Sequence, residues 1–161
     1  MYQKHLVSIL LPTFNSELHL EDCIKSIIKQ SYKNMELIII DNESVDNTFR
    51  IIKKYLNLIK ISFFSHRTRN LAQALNFGIT KCKGEFIARM DSDDLMRKFR
   101  IEKQVKFLLK NREYLFVGTN AFRFKKNTIF SKPFNVFFNN TNLKLNLFFQ
   151  SSFIHPTIMF R

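Results

Sequence analysis

The sequence has few of the residues on which disulfide-rich, phosphate-loop and membrane-spanning proteins depend. It contains two cysteines, three glycines and no tryptophan. Two cysteines are too few for a disulfide framework and suit buried thiols in a reducing compartment. Three widely separated glycines cannot form the loop that cradles phosphates in Walker-type sites. No apolar run approaches the roughly 20 residues of a membrane span, and no cleavage site for a signal peptide follows the first apolar run. We therefore expect a cytoplasmic protein.

Acidic residues are scarce as well. The 161 residues include 13 acidic and 26 basic side chains, which gives a net charge of +13. A balance this basic favours a polyanionic neighbour, namely nucleic acid, anionic lipid headgroups or a phosphorylated substrate. The alternative is a solvated basic surface without a partner. The length suffices for one domain with a substantial apolar core.

Short apolar runs recur along the chain and predict strands. The four clearest runs cover residues 6–11, 35–41, 58–64 and 84–90. The second is fully apolar and β-branched in its centre, which is typical of a parallel strand covered on both faces. From Tyr114 onward the regularity weakens and shorter strands are predicted.

Segments whose apolar residues recur at helical spacing lie between these runs. The first predicted helix follows Ser16 and the second follows Asp46, and both residues have side chains that can cap a helix. The fourth helix carries Ile101 and Leu108 on its apolar face. The third spans residues 71–81, with an apolar stripe of Leu71, Ala74, Leu75 and Ile79. The alternation predicts an α/β fold with a mostly parallel sheet and helices on both faces.

The scarce acids are concentrated where predicted strands end. Seven of the 13 fall in three such segments: Glu17, Asp41, Glu43, Asp46, Asp91, Asp93 and Asp94. Ligands of an open parallel sheet bind outside the carboxyl ends of its strands. We therefore expect a binding cleft at this edge of the sheet.

An Asp-x-Asp sequence, Asp91-Ser92-Asp93, follows the fourth predicted strand. Clustered carboxylates repel each other and raise one another's pKa unless a cation joins them. Hard oxygen ligands suit magnesium or manganese, which complete their shells with water and substrate phosphates. This spacing predicts a metal–diphosphate site. The alternative is that Asp93 or Asp94 caps the helix that follows.

Five segments resemble the family 2 glycosyltransferases of bacteria, which have the GT-A nucleotide-diphospho-sugar fold. They are residues 7–17, 35–48, 71–94, 100–108 and 155–161, and the third of them carries the Asp-x-Asp signature. The resemblance implies a single GT-A domain over residues 1–161, with a Rossmann-like, mostly parallel sheet. Its donor-binding half would comprise residues 1–112, and residues 113–161 would form an incomplete acceptor-side portion.

The resemblance also implies roles for residues at the strand ends. Asp41 would accept a hydrogen bond from the nucleotide base, while Asp91 would face the ribose and diphosphate. Asp93, together with Asp91, would bind Mn²⁺ or Mg²⁺. The implied nucleotide-sugar site comprises Pro12, Thr13, Asn15, Glu17, Asp41, Asp91, Ser92 and Asp93. For Asp41 and Asp46 the alternative is turn formation and helix capping.

Two departures from the family pattern concern a turn and the catalytic base. Glu43 stands where glycine is usual, so the backbone there must avoid positive φ or carry strain. The family's base is an Asp or Glu located after the strand that residues 155–161 resemble, and no acidic residue follows Glu113. We therefore expect this sequence to lack the base, with His155 as the one candidate by chemistry. The alternative for His155 is a structural role before proline.

The function implied by the resemblance is transfer of a sugar, with inversion, from a nucleotide-diphospho-sugar to a glycan or lipid-linked acceptor. The donor would commonly be a UDP-sugar. The basic charge would favour peripheral contact with the anionic cytoplasmic face of the inner membrane, through residues 97–100. One alternative is a nucleotide-sugar-binding remnant or partner subunit without transfer activity. The other is a basic nucleic-acid-binding module, although no recognisable nucleic-acid motif is present.

Overall fold

The computed structural model describes residues 4–125, 128–134 and 153–161. Its strands are β1 (Val7–Thr13), β2 (Met35–Asp41), β3 (Ile61–Ser65), β4 (Phe86–Arg89), β5 (Phe116–Val117), β6 (Ala121–Lys125), β7 (Thr128–Phe134) and β8 (Met159–Phe160). Its helices are α1 (Leu20–Ile28), α2 (Thr48–Lys53), α3 (Leu71–Ile79), α4 (Arg100–Lys110) and a short 3-10 helix (His155–Thr157).

Six of the strands form one sheet in the order β3-β2-β1-β4-β8-β5. The first four strands along the chain are mutually parallel, whereas β8 is antiparallel to both β4 and β5. Strands β6 and β7 pair separately as an antiparallel hairpin. The sheet therefore confirms the predicted α/β fold. Its order reverses between β1 and β4, which is the place where open α/β sheets bind their ligands.

The apolar strands are covered on both faces, as the sequence of β2 predicted. Leu37 and Ile39 pack into a core with α1, α2 and α4. Ile38 and Ile40 face the other side and pack with Ala74 of α3. Alternate side chains of a strand point to opposite faces, so one continuous apolar run supplies both cores.

Helix α1 begins four residues later than the predicted cap. Its buried residues, Leu20, Cys23, Ile24 and Ile27, recur at the spacing of one helical face. The Ser16 carbonyl accepts hydrogen bonds from the N–H groups of His19 and Leu20, which forms a turn before the helix. His19 is the N-cap residue and makes no side-chain capping bond, so the prediction that Ser16 caps the helix was wrong.

Helix α3 confirms the middle of the predicted stripe, where Ala74 is buried and Leu75 packs against the core, but not its two ends. Leu71 and Ile79 are 49% and 39% exposed, whereas Ala74 and Gly78 are buried. A Cβ at Gly78 would lie only 2.3 Å from Leu10 Cδ1, so a larger residue there would have to displace the Leu10 side chain of β1. Close packing on small residues therefore overrode the pattern of large apolar ones.

Helix α4 begins well after the Asp-x-Asp sequence. Its N-cap is Phe99, which makes no side-chain capping bond. The alternative that Asp93 or Asp94 caps this helix is therefore wrong, and another role is needed for both carboxylates.

The predicted acceptor-side portion, residues 113–161, is described only in part. The shorter strands expected after Tyr114 appear as β5 to β8, and residues 126–127 and 135–152 lie outside the described ranges. Within residues 4–125, 128–134 and 153–161, no helix combines the length and apolar character needed to span a bilayer.

Candidate functional site

A cleft of about 490 Å³ opens at the carboxyl ends of β1 and β4. Its lining comprises Pro12, Thr13, Phe14, Asn15, Ser16, His19, Asn42, Thr68, Asn70, Leu71, Ala74, Asp91, Ser92 and Asp93. Six of the predicted site residues are among them: Pro12, Thr13, Asn15, Asp91, Ser92 and Asp93. The structure therefore brings the ends of two separate strands to one concave surface.

The acidic loop, residues 91–94, forms one wall of the cleft and is fixed to the β1–α1 unit. The hydroxyl oxygens of Ser92 and Ser16 are 2.8 Å apart. The Cys23 thiol donates to the Asp91 carbonyl at 3.4 Å. Asp93 is exposed at the cleft. The backbone of the loop is thus held in place while a carboxylate faces solvent.

The segment after the acidic loop is held by Ser26 of α1 and by the turn that follows this helix. The Met96 N–H donates to Ser26 Oγ at 2.9 Å. The side-chain amide of fully buried Gln30 donates to the Arg97 carbonyl, also at 2.9 Å. The Ser31 N–H donates to the Lys98 carbonyl at 2.9 Å. Sequence reasoning missed these anchors, because Ser26 and Gln30 look like ordinary polar interruptions of an amphipathic helix.

Burial and mutual repulsion raise the pKa of two carboxyl groups in the acidic loop. Burial is the main cause at Asp91, where Asp93 adds to the rise and Arg89 opposes it. Burial also dominates at Asp94, and the charges of Asp93 and Asp91 raise its pKa further. A bound cation would relieve this repulsion.

Arg89, the last residue of β4, is an unpredicted neighbour of the site. Its side chain is only 6% exposed, and its Nη2 donates to Asp91 Oδ1 at 2.6 Å. Its Nε and Nη1 are buried and have no hydrogen-bond partner among the described residues. The sequence did not predict the burial of Arg89, because an arginine at the end of an apolar run is expected to lie at the surface.

Asp41 lies beneath the cleft and does not line it. It is buried, and its Oδ1 accepts from Thr13 Oγ1 at 2.9 Å and from Ser44 Oγ at 2.6 Å. Its Oδ2 accepts from the Ser44 N–H at 2.9 Å. The carboxylate therefore joins the loops that follow β1 and β2. Its contact with a nucleotide base stays a prediction.

Glu17 faces away from the cleft, unlike the other predicted residues of the first loop. Its Oε2 accepts from the backbone N–H of Asn47 at 2.9 Å and from the Asn47 side chain at 2.8 Å. Asp46 accepts from the N–H groups of Glu17 and Thr48, which is the turn and helix-start role expected of it. Both acids therefore support the scaffold around the loops.

Two residues with positive φ bring the first two loops together. Glu43 has φ 55° and Asn15 has φ 46°. Because residue 43 is glutamate and not glycine, its positive φ strains the backbone by about 1–2 kcal/mol. The Asn15 N–H donates to Ser44 Oγ at 2.9 Å, and Asn15 Oδ1 accepts from the Val45 N–H at 3.0 Å. These bonds compensate the strain at the rim of the cleft.

His155 is exposed at the start of the 3-10 helix and is not part of the cleft lining. Burial and Arg89 act more strongly on the pKa of Asp91, but the charge of His155 also lowers it. The histidine is therefore close enough to the acidic loop to act on it electrostatically. Its role as a base stays a prediction.

Neutral and aromatic residues that sequence reasoning missed form the opposite wall of the cleft. Thr68 donates to Asn42 Oδ1 from its N–H at 2.6 Å and from its hydroxyl at 3.1 Å. Asn70 accepts from the Gln73 N–H and caps α3. Phe14 is exposed in the cleft directly after β1. Phe14 could have been predicted as a site residue, because it is a large aromatic residue directly after a strand. The neutral polar residues could not, because such residues are common in any loop.

The carboxylates of the cleft can supply part of a metal shell. Within the described ranges, no group of three or more His, Cys, Asp or Glu side chains is arranged to hold a metal ion. Magnesium and manganese sites that bind substrate phosphates commonly use only one or two protein carboxylates. Asp91 and Asp93 therefore fit a cation whose remaining ligands are water and a diphosphate.

Curated relatives of the chain are bacterial glycosyltransferases. The chain is 43% identical over 121 residues to the putative glycosyltransferase EpsE of Bacillus subtilis (strain 168), covering 73% of this chain and 44% of EpsE. It is 34% identical over 160 residues to the O-antigen biosynthesis glycosyltransferase WbnJ of Escherichia coli, covering 97% and 61%. It is 36% identical over 108 residues to the UDP-Glc:alpha-D-GlcNAc-diphosphoundecaprenol beta-1,3-glucosyltransferase WfgD of Escherichia coli, covering 66% and 42%. The chain spans about half the length of the curated relatives it matches.

A solved structure with the same fold is that of S. aureus TarS 1-349 in complex with UDP-GlcNAc. The two share 27% sequence identity at a TM-score of 0.61, over 66% of this chain and 32% of that one. The family model described as Glycosyl transferase family 2 matches residues 8–161, which is nearly the whole chain and includes both strand ends that form the cleft. The chain therefore belongs to glycosyl transferase family 2.

Proposed function

We propose that the chain binds a nucleotide-diphospho-sugar in the cleft and takes part in transfer of the sugar to a glycan or lipid-linked acceptor. The observation that carries this proposal is the convergence of two strand ends. Pro12, Thr13 and Asn15 follow or end β1, and Asp91 and Asp93 follow β4, yet all five line one cleft. An apolar and polar wall facing an acidic wall suits a ligand with a nucleoside at one end and a diphosphate at the other.

The nucleoside would lie over the ends of β1 and β2. Pro12 and Phe14 offer apolar surface to a base, and Asn15 offers polar groups to the ribose. Asp41, beneath them, has an Oδ2 with a single described donor, which leaves it capacity to accept from a base. UDP is the nucleotide we propose, and the TarS complex with UDP-GlcNAc supports this choice.

The diphosphate would lie against the acidic loop with Mn²⁺ or Mg²⁺. Asp93, the exposed carboxylate, would be the principal protein ligand, and Asp91 a second. Such a cation would stabilise the negative charge that develops on the departing diphosphate. Arg89 holds Asp91 through the 2.6 Å bond and thereby fixes the direction in which this carboxylate faces the cleft.

Transfer itself would proceed by attack of an acceptor hydroxyl on the anomeric carbon with inversion. The hydroxyl must lose its proton to a base. Only two acidic residues follow the acidic loop, Glu102 and Glu113, and Glu102 is bound to Ser31 and Lys106. We therefore assign donor binding to residues 1–112 and place residues 113–161 on the acceptor side, where His155 is the candidate base of this sequence.

The acceptor we propose is a lipid-linked glycan at the cytoplasmic face of a membrane. WfgD is named for action on a diphosphoundecaprenol-linked sugar, and WbnJ for O-antigen biosynthesis. A chain that worked with such acceptors would need only peripheral membrane contact, since its substrate brings the lipid.

Titration calorimetry with UDP, with manganese and with EDTA, tests the proposal. UDP should bind appreciably only with the cation, because carboxylates repel a diphosphate that no cation neutralises. Asp93→Asn should abolish the manganese-dependent part of the affinity. Asp22→Asn, which removes an exposed acid of α1, is the matched control and should leave the affinity unchanged. Equal UDP affinity in EDTA and manganese would refute the metal role.

A further inference from the structure

We propose, building on the function proposed above, that a surface next to the acidic loop docks on an anionic lipid bilayer. This docking surface consists of Leu95, Arg97, Lys98, Phe99 and Phe122. It begins one residue after the acidic loop and extends to the first strand of the β6–β7 hairpin.

The apolar part of the docking surface is exposed although its backbone is fixed. Leu95, Phe99 and Phe122 are 50%, 51% and 40% exposed. The carbonyls of Arg97 and Lys98 are held by Gln30 and Ser31 of the α1 end. The backbone next to Phe99 is therefore held in place while its ring is exposed.

Cations lie among these apolar groups. The Arg97 guanidinium is 4.7 Å from the ring centroid of Phe122, and Lys98 Nζ is 5.4 Å from that of Phe99. Neither Arg97 nor Lys98 forms an ion pair with a residue in the described part of the chain. Lys103, also exposed, follows one turn along α4 and donates its N–H to the Phe99 carbonyl. The surface therefore carries positive charge that the described protein does not neutralise.

Arg100 is not part of the docking surface, which corrects the expectation for residues 97–100. Its Nη2 donates to the Arg89 carbonyl at 2.8 Å, and its Nε donates to Gln104 Oε1 at 3.1 Å. The guanidinium is thus turned toward the sheet beneath the acidic loop, and burial lowers its pKa to about 10.

A lipid surface fits this arrangement better than a nucleic acid. Apolar side chains interleaved with cations are typical of proteins that lie in the bilayer interface, where phosphates meet acyl chains. A base would need an open aromatic face to stack on, but Arg97 and Lys98 already lie over the rings of Phe122 and Phe99, and Leu95 has no ring. The net charge of +13 adds long-range attraction to an anionic surface.

Sedimentation with vesicles of phosphatidylcholine, with and without phosphatidylglycerol, tests this surface. The protein should bind the anionic vesicles more strongly, and high salt should weaken the binding. The double variant Arg97→Gln/Lys98→Gln should lower partitioning by up to about thirty-fold, because each cation near such a surface contributes up to about 1 kcal/mol. Phe99→Ser should lower the partitioning of the protein onto vesicles both with and without phosphatidylglycerol.

The control for charge is Arg50→Gln/Lys53→Gln on α2. It removes the same charge and, like the test pair, includes a cation over an exposed aromatic ring, since Lys53 Nζ lies 4.6 Å from the Phe49 centroid. Equal losses in both double variants, or indifference to phosphatidylglycerol, would overturn the docking surface. If single-stranded RNA binds through the same residues and displaces the vesicles, the docking surface is a nucleic-acid site and the lipid proposal is wrong. The UDP affinity of each variant in manganese should equal that of the unmutated protein. If the unmutated protein does not bind UDP at all, that result counts against the proposed function and not against the docking surface.

Discussion

At the scale of single residues, Asp41 combines two roles that are usually assigned separately. Its carboxylate accepts three hydrogen bonds from Thr13 and Ser44, and it lies just beneath a cleft whose lining includes Thr13. A residue in this position can hold two loops together and still receive a ligand donor on Oδ2. The two roles predict different responses to substitution.

Asp41→Ala should lower both the stability of the protein and its affinity for UDP. Loss of a buried, hydrogen-bonded acceptor costs about 1–3 kcal/mol, and a lost bond to the base should weaken UDP binding by a similar amount. Ser44→Ala removes a hydroxyl that donates to Asp41 and accepts from the Asn15 N–H but keeps the carboxylate, so it should lower both stability and UDP affinity less than Asp41→Ala does. Urea unfolding and calorimetry on both variants make the comparison. If Ser44→Ala weakens UDP binding as much as Asp41→Ala, Asp41 acts only by positioning the loops.

The two cysteines provide a second prediction at this scale. Burial raises the pKa of the Cys82 thiol to about 11 and raises that of Cys23 further. Because the thiolate is the reactive form, iodoacetamide at pH 8 should modify both far more slowly in the folded protein than in urea. As the pH rises toward 11, Cys82 should react before Cys23. Mass spectrometry on Cys82→Ser identifies the site, and rapid labelling of Cys23 at pH 8 would contradict its burial.

At the scale of elements, helix α1 serves as the support of the acidic loop and of the segment after it. Ser16 and Cys23 hold the acidic loop, and Ser26, Gln30 and Ser31 hold residues 96–98. These hydrogen-bonding groups come from one helix and its flanking turns. The position of Asp93 therefore depends on how α1 packs, although no residue of α1 belongs to the Asp-x-Asp sequence.

Gln30→Ala should weaken this support. The side chain donates to three carbonyls, those of Ser26, Met96 and Arg97, and its Oε1 accepts from the N–H of Ile101 in the first turn of α4. Leaving these buried groups without partners should destabilise the protein by about 1–3 kcal/mol and reduce the manganese-dependent affinity for UDP. Lys29→Ala, one residue earlier and exposed, should change neither. A Gln30→Ala protein of unchanged UDP affinity would show that the acidic loop holds its shape by itself.

The sequence predicted the elements whose side-chain pattern matches their burial. The run in β2 and the stripe of α1 are of this kind. The Asp-x-Asp sequence after β4 stood out because acids are rare in this chain, and Asp91 and Asp93 do line the cleft, while their metal role stays a prediction. The exposure of Leu71 and Ile79 at the ends of the α3 stripe could not be read, since the helix packs on β1 at Gly78. The burial of Arg89 and the anchoring by Gln30 could not be read either, because both depend on partners distant in sequence.

At the scale of the whole molecule, the acids are distributed unevenly between the two sides of the site. Twelve of the 13 lie in residues 1–112, and Glu113, the first residue of the acceptor-side portion, is the one acid there. A positioned base typically contributes about 10²- to 10⁴-fold to proton transfer. Donor binding and sugar transfer should therefore separate in this chain of 161 residues.

We expect measurable affinity for a UDP-sugar, slow hydrolysis of the donor at most, and no efficient glycoside formation. An assay of UDP release against sugar and lipid-linked acceptors measures this separation. Acceptor-dependent turnover near 1 s⁻¹, about the lower end of ordinary enzymes, would show that these residues include a base. His155→Ala would then identify it, with His66→Ala, an exposed histidine stacked on Phe77, as the control.

The contact between Ser16 and Ser92 joins residues 76 positions apart in sequence. Contacts this distant form late in folding, because the intervening chain must first lose its freedom. The cleft can therefore acquire its ligand-binding shape only after β1, α1 and β4 have assembled. A nascent chain released residue by residue from the ribosome should remain unable to hold a nucleotide until the acidic loop has emerged and docked, so nucleotide capture would report that β1, α1 and β4 have assembled.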